Sequence, residues 1–256
     1  MSSGLRNAGR LVGMLAVALL ALQLFFLLRI ALMLVLAPES TTFQRSEVWR
    51  IVVEKHQLPW SQESVAASRI SDNLRRAVIA SEDAGFVDHH GVEWDAVEKA
   101  WNKNEKAQAR VEAQQGRAAA RRAADGRPRA VVAKVVGGST ISQQLAKNLF
   151  LSGERNILRK GQELVITLML EAVLGKERIL TTYLNNVEWG EGVFGAQAAA
   201  EHYFRTNAAT LGPAQAARLA VMLPAPKRFE KSPSSSYVLG RSATIVARMG
   251  GVDLPD

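Results

Sequence analysis

The start of the chain is dominated by one apolar run. From Leu11 to Ala37 nearly every residue is Leu, Val, Ala, Met, Ile or Phe, broken by Gln23 and Arg29. A crossing helix needs roughly 20 mainly apolar residues, so this run is long enough to span a bilayer. A cleaved signal peptide is the alternative, but its apolar core usually runs about 7–15 residues, and Pro38 directly after Ala37 spoils a plausible cleavage site. The expectation is a retained transmembrane helix over 11–37. Arg6 and Arg10 precede it without any acidic residue, which by the positive-inside rule keeps 1–10 in the cytoplasm and exports everything after Pro38. Arg29 then either snorkels, with an effective span of Leu5 to Leu28, or faces a partner helix.

Beyond the anchor the apolar period is helical. Leu74, Val78 and Ile79 share one face of a helix over 70–81, with Ser71 or Asp72 placed to cap its start. Glu82 lies four residues after Val78 and three after Ile79, so it continues the buried stripe and should emerge from the core at the helix end. Gly137-Gly138-Ser139-Thr140 reads as a turn, and Thr140 with Gln143 forms a capping-box pattern. In the helix that follows, Ile141, Leu145 and Leu149 make one apolar stripe, while Gln144, Lys147 and Asn148 project elsewhere. A third helix starts near Lys160, carries Leu164, Val165 and Leu168, and continues or restarts through Lys176 to Leu184. After a glycine-punctuated loop from Gly190 to Gly195, Ala196 to Phe204 and Pro213 to Leu223 read as helices. The segment from Pro224, with Pro226 and Ser232 to Ser236, looks like a short surface ending. No alternating apolar run is long enough to require a sheet, and there is no internal repeat.

With 256 residues, 48% hydrophobic and 22% charged, the chain affords one sizeable core plus the membrane element. The lack of cysteine excludes disulfides, thiolate chemistry and Cys-ligated metals. The net charge of +8 is concentrated: nine bases and three acids between Lys103 and Lys134 supply six of the eight charges. In an exported segment such charge meets anionic headgroups and lipid-linked phosphates rather than nucleic acid. A solvated, Ala-rich helix or loop suits the same composition.

Glu82, on an apolar stripe, should have its ionised form penalised by desolvation, which suits a general base; a carboxylate ending a helix in solvent would share this pattern. The helix start after Gly137-Gly138 offers free N–H groups and the hydroxyls of Ser139 and Thr140 to an anion. Lys147, Arg155, Arg159 and Lys160 add cations of the kind a diphosphate requires. Lys160 and Glu163, three apart, can face each other. His89 and His90 with Asp83, Asp88 and Glu93 match no zinc-helix or EF-hand spacing, so no metal site is expected there; a histidine after a helix more often fixes backbone.

Five blocks resemble, in order, the motifs of the peptidoglycan glycosyltransferase family, specifically its monofunctional, membrane-anchored members. Glu82-Asp83-Ala84-Gly85-Phe86-Val87-Asp88-His89-His90-Gly91 is similar to the first, E-D-x-x-F-x-x-H-x-G. Gly137 to Leu149 resembles the second nearly residue for residue, and Arg159-Lys160-Gly161-Gln162-Glu163 the third, R-K-x-x-E. Ile179 to Asn185 with Gly190, Gly192 and Gly195 looks like the fourth, and Ala199 to Phe204 with Leu219 to Pro226 follows the later pattern. The resemblance covers roughly 46–226. Val92-Glu93 replace a usual Phe-Asp, and Gln215 a common Glu. The stretch 103–136 is longer than the family's and carries the excess charge.

The resemblance implies an all-α, lysozyme-like glycosyltransferase domain behind a single transmembrane helix, with 227–256 as a tail. It implies polymerisation of lipid II at the bacterial inner membrane on the periplasmic side. There the match to Glu82 deprotonates the acceptor 4-hydroxyl, which attacks the donor's anomeric carbon with inversion and releases undecaprenyl pyrophosphate. Glu163 matches the second essential carboxylate, assigned either to assisting departure or to organising the site. Lys147, Arg155 and Lys160 match the groups that hold the pyrophosphate; Ser139, Gln143 and Gln144 match those lining the sugar cleft. No cofactor is required, and a divalent cation, Mg or Mn, is compatible with the chemistry. The implied partners are lipid II, the growing glycan strand, membrane lipids and other cell-wall synthesis proteins, not nucleic acid. A lytic hydrolase of similar fold would share the paired carboxylates but not the need for converging cations. An inactive scaffold would not need both acids. A fused transpeptidase is excluded by the absence of a Ser-x-x-Lys motif.

Overall fold

A computed structural model describes residues 3–94, 98, 138–151 and 156–255. Met1–Gly91 together with Ile141–Asp256 form one compact unit, and Val92–Thr140 a second. The basic stretch 103–136 and Arg155 lie outside the described residues.

In the first unit, α1 (Ser3–Leu32) is the apolar N-terminal helix. Its Asn7–Leu32 portion is long and apolar enough to cross a membrane. Leu11, Leu20 and Leu28 are each more than half exposed, an arrangement that water does not favour and hydrocarbon does. The helix begins and ends somewhat earlier than the 11–37 run. Next, α2 (Thr42–Lys55) is closed at its start by a capping box between Thr41 and Gln44. It is tied inward by Thr42 Oγ1 donating to the Leu149 carbonyl at 2.9 Å.

Three short strands follow the chain in pieces: β1 (Ser61–Gln62), β2 (Glu188–Gly190) and β3 (Val193–Phe194). Their order is β1-β3-β2, with β1 parallel and β2 antiparallel to β3. The glycine loop predicted from Gly190 to Gly195 is this β2–β3 hairpin; runs of two or three residues are too short to show an alternating pattern. Gly192 makes the turn at φ +75°, where an added Cβ would sit 1.8 Å from the Pro59 carbonyl oxygen, so a side chain is sterically excluded.

The domain is otherwise helical, as the period requires. The site rests on α3 (Asp72–Glu82), α4 (Ile141–Phe150), α5 (Ile157–Val173) and α6 (Lys176–Asn186). Behind them pack α7 (Ala196–Phe204), α8 (Pro213–Met222), the single turn α9 (Pro226–Phe229) and α10 (Ser236–Met249). The predicted third helix therefore restarts rather than continues, breaking at Leu174-Gly175. Gln215, where a Glu is common in the resembled family, caps α8 by accepting from Gly212 N at 3.0 Å.

The C-terminal segment corrects the expectation of a surface ending. Val238, Ile245, Met249 and Val252 are all buried, α10 packs against α3 and α8, and Arg76 donates to the Val252 carbonyl. Its apolar positions repeat at helical spacing on only one face, while the Ser-rich lead-in dominates the local composition. The packing behind α3 thus comes partly from the last 20 or so residues of the chain.

Candidate active site

Helix α3 brings Glu82 to its C-terminal end. Ser71 caps the start by accepting from Leu74 N at 3.2 Å, and Leu74, Ala77, Val78 and Ile79 are buried. Glu82 is half-buried. Burial pushes its carboxyl above the usual range and the charge of Asp83 adds to this, opposed by hydrogen bonds from Gln144 and Ser81. The expected desolvated acid at a helix end is therefore present.

Glu82 meets the second motif directly. Gln144 Nε2 donates to Glu82 Oε2 at 3.1 Å, and Tyr183 Oη donates to Gln144 Oε1 at 2.9 Å. Tyr183 lies on α6 and is buried. Burial, with the nearby charges of Glu82 and Asp83, holds its phenol well above its ordinary pKa, so it stays a neutral donor. A donated O–H from Tyr183 turns the carbonyl end of the Gln144 amide toward α6 and the NH₂ end toward the carboxylate. Sequence reasoning missed this role; the signal was a tyrosine on a buried helical stripe, whose hydroxyl must find a partner.

Asp83 fixes the junction. Its Oδ2 accepts from Ile141 N, the first residue of α4, at 2.9 Å, and its Oδ1 lies 2.8 Å from His89 Nε2. Gly91 N donates to His89 Nδ1 at 3.1 Å, which leaves Nε2 to carry the hydrogen shared with Asp83. One carboxylate thus caps α4 and grips the motif loop. His89 fixes backbone, as expected. Gly91 sits at φ +89°, and a Cβ there would meet Thr167 Cγ2 at 2.8 Å and Glu171 Cγ at 2.9 Å. The loop needs glycine to lie this close to α5.

The cationic half of the site is on α5, where Asn156 caps the start by accepting from Arg159 N at 2.7 Å. Glu163 is 3% exposed. Its Oε2 accepts from Arg159 Nη1 at 2.9 Å, and its Oε1 from Lys160 Nζ. This pairs Lys160 with Glu163 as their spacing predicted, and adds Arg159. Arg159 Nε is buried without an acceptor among the described residues. Lower on α5, Glu171 accepts from Ser142 Oγ of α4 and from Lys176 Nζ of α6. Lys176 Nζ also donates to the His89 carbonyl at 2.6 Å, closing a clamp around the first-motif loop.

Of the other predicted positions, Lys147 is exposed on α4 one turn beyond Gln144, while Gln143 is buried. Asn148 is buried too, not projecting as expected; α2 is among the elements packed on α4. Ser139 and Thr140 fall in the second unit, the first half-buried and the second buried. Among the described residues no group of three His, Asp or Glu side chains is arranged to hold a metal ion.

Helix α3 thus ends in a shielded, raised-pKa carboxylate held by Gln144 of α4, and α5, packed on α4, carries a buried carboxylate that accepts from two cations. Residues 52–116 and 117–250 match the family described as transglycosylase. The chain is 47% identical over 241 residues to the biosynthetic peptidoglycan transglycosylase of Paraburkholderia xenovorans, covering 94% of this chain and 90% of that one. It is 49% identical to the protein of the same description from Cupriavidus metallidurans, over 96% of this chain and 97% of that one. Its identity to the one from Bordetella pertussis is 49%, over 85% and 82%. With likeness of this extent running through every element that builds the site, the chain belongs to the transglycosylase family and is a peptidoglycan glycosyltransferase.

Proposed function

We propose that the enzyme polymerises lipid II into glycan strands by inverting transfer, with undecaprenyl pyrophosphate as leaving group. The observation that carries this reading is Glu82: half-buried, raised in pKa, and held by a Gln144 amide that Tyr183 orients. A base poised this way takes the proton of the acceptor 4-hydroxyl as the oxygen attacks the donor's anomeric carbon, typically contributing a factor of about 10²–10⁴. The leaving pyrophosphate is met by Lys147, Lys160 and Arg159, whose buried Nε has no protein acceptor among the described residues, and by Arg155 outside them. Glu163 has both oxygens engaged by Arg159 and Lys160, which suits organising the cations rather than donating a proton. Gln143 and Gln144 line the sugar cleft in this reading. The chemistry runs on side chains, and a divalent cation, Mg or Mn, would act as an accessory to the pyrophosphate.

The exposed apolar surface of α1 supports an anchor in the bacterial inner membrane. Arg6 and Arg10 before the span support a cytoplasmic N-terminal end and a catalytic domain on the periplasmic side. Membrane lipids, the growing strand and other wall-synthesis proteins are then its partners. Incubation with labelled lipid II tests the reading: long polymer from the wild type and almost none from Glu82→Gln with an unchanged circular-dichroism spectrum. Equal polymer from both would refute the base assignment, and digestion of mature wall would favour a lytic activity.

A further inference from the structure

Gln23 interrupts the apolar anchor, and the sequence offers no reason for it. Gln23 Nε2 donates to Gln162 Oε1 at 2.9 Å, and Gln162 Nε2 donates back to Gln23 Oε1 at 3.0 Å. Gln23 heads a stripe with Phe26 and Ile30 on one face of α1, continued by Met33 directly after the helix, at spacings of three, four and three residues. Those three apolar residues are buried in the domain core, unlike the neighbouring Leu24, Leu27 and Leu28. The Phe26 ring meets Phe150 edge-on at 5.6 Å, the Arg29 guanidinium lies 6.0 Å from the centre of the Phe150 ring, and Arg178 Nε donates to the Met33 carbonyl at 3.0 Å. Arg29 thus faces aromatic rings, its own neighbour Phe25 included.

We propose that Gln23 is a positioning residue for glycosyl transfer: its paired amide with Gln162 holds the start of α5, and with it Arg159, Lys160 and Glu163, in the working rotation and depth. The proposal rests on the function proposed above. Glu163 is bound to Arg159 and Lys160, but all three ride on the same helix, so those bonds survive any rigid slip of α5 and cannot oppose it. The far half of α5 is tied to α4 and α6 through Glu171. The near half leaves Ile157 90% and Leu158 87% exposed and meets α1 at Gln162, one residue before Glu163. Both side chains are half-buried, and replacing one partner strands the other's amide.

The test uses the full-length enzyme in proteoliposomes with lipid II. Gln23→Leu should lower kcat about threefold to tenfold, the size expected of one hydrogen-bonded pair between helices, with KM within about twofold. Hydrogen exchange over 157–165 should quicken while peptides of α8 and α10 stay unchanged. The chain has no cysteine, so Gln23→Cys/Gln162→Cys can be bridged cleanly with a short bis-methanethiosulfonate reagent, which should restore most of the rate. Wild-type kcat in Gln23→Leu, or a loss that bridging does not recover, overturns the proposal. Failure of the wild type itself on lipid II would remove the substrate reading instead; exchange over 157–165 would then decide alone, unchanged exchange in Gln23→Leu overturning the proposal.

Discussion

Tyr183→Phe removes one hydroxyl 2.9 Å from Gln144 and two contacts away from Glu82, so its effect on catalysis has to pass through the amide. Without that donor, the Gln144 amide loses the bond that keeps its NH₂ toward the carboxylate. A neutral hydrogen bond is worth about 0.5–1.5 kcal/mol net, and 1.36 kcal/mol corresponds to one pKa unit. The Glu82 carboxylate should therefore lose stabilisation equal to about half a unit to one unit. The sign follows from which form is favoured: an N–H donor stabilises the charged form, so its loss raises a pKa that burial has already raised. The acid limb of kcat/KM against pH should move up by that amount. Rates on the limb should fall about threefold to tenfold, while the alkaline plateau stays near wild type. In a Gln144→Leu background the same substitution should have little further effect, because both changes act on one chain of contacts. A uniform loss at every pH, or an unshifted limb, would refute the view that Tyr183 acts by orienting this amide.

Three further outcomes follow from the geometry. Gly91→Ala should destabilise the fold by about 1–3 kcal/mol, because φ is +89° and the new Cβ meets Thr167 and Glu171; a thermal melt equal to wild type would show that the loop relaxes freely. Ile245→Ala, in the buried face of α10, should cost about 2–5 kcal/mol and lower activity only as far as folded enzyme is lost, measured by denaturant melts beside specific activity. Glu188 is buried, which pushes its carboxyl up to about 7 despite Lys227 3.3 Å away. A raised folded-state value makes its contribution to stability full below the unfolded value and lost as pH rises through about 7. Glu188→Gln should accordingly raise Tm at pH 8 relative to wild type and change it little at pH 5; equal shifts at both would place the effect elsewhere.

Several local features of the candidate site were legible in the sequence, because helical period and motif spacing are local. Glu82 at the end of an apolar stripe and Lys160 facing Glu163 both depend on a few neighbours along one helix, whereas the same pattern left open whether the third helix breaks before Lys176. The apolar run of α1 needed only its own length to be recognised. What could not be read was every contact that joins positions far apart in the chain. Asp83 capping α4 across 58 residues, Tyr183 orienting Gln144 across 39 and Gln23 pairing with Gln162 across 139 leave no periodic trace, since each partner satisfies an ordinary local pattern by itself. The same holds for the last helix, whose Ser-rich lead-in reads as a surface while its apolar face is needed behind α3. Side-chain type and spacing therefore determined which groups could do chemistry here. The packing of α1, α4, α5 and α6 against one another decided which of them meet, because hydrogen-bond partners are chosen by proximity in space and burial makes an unmet partner costly.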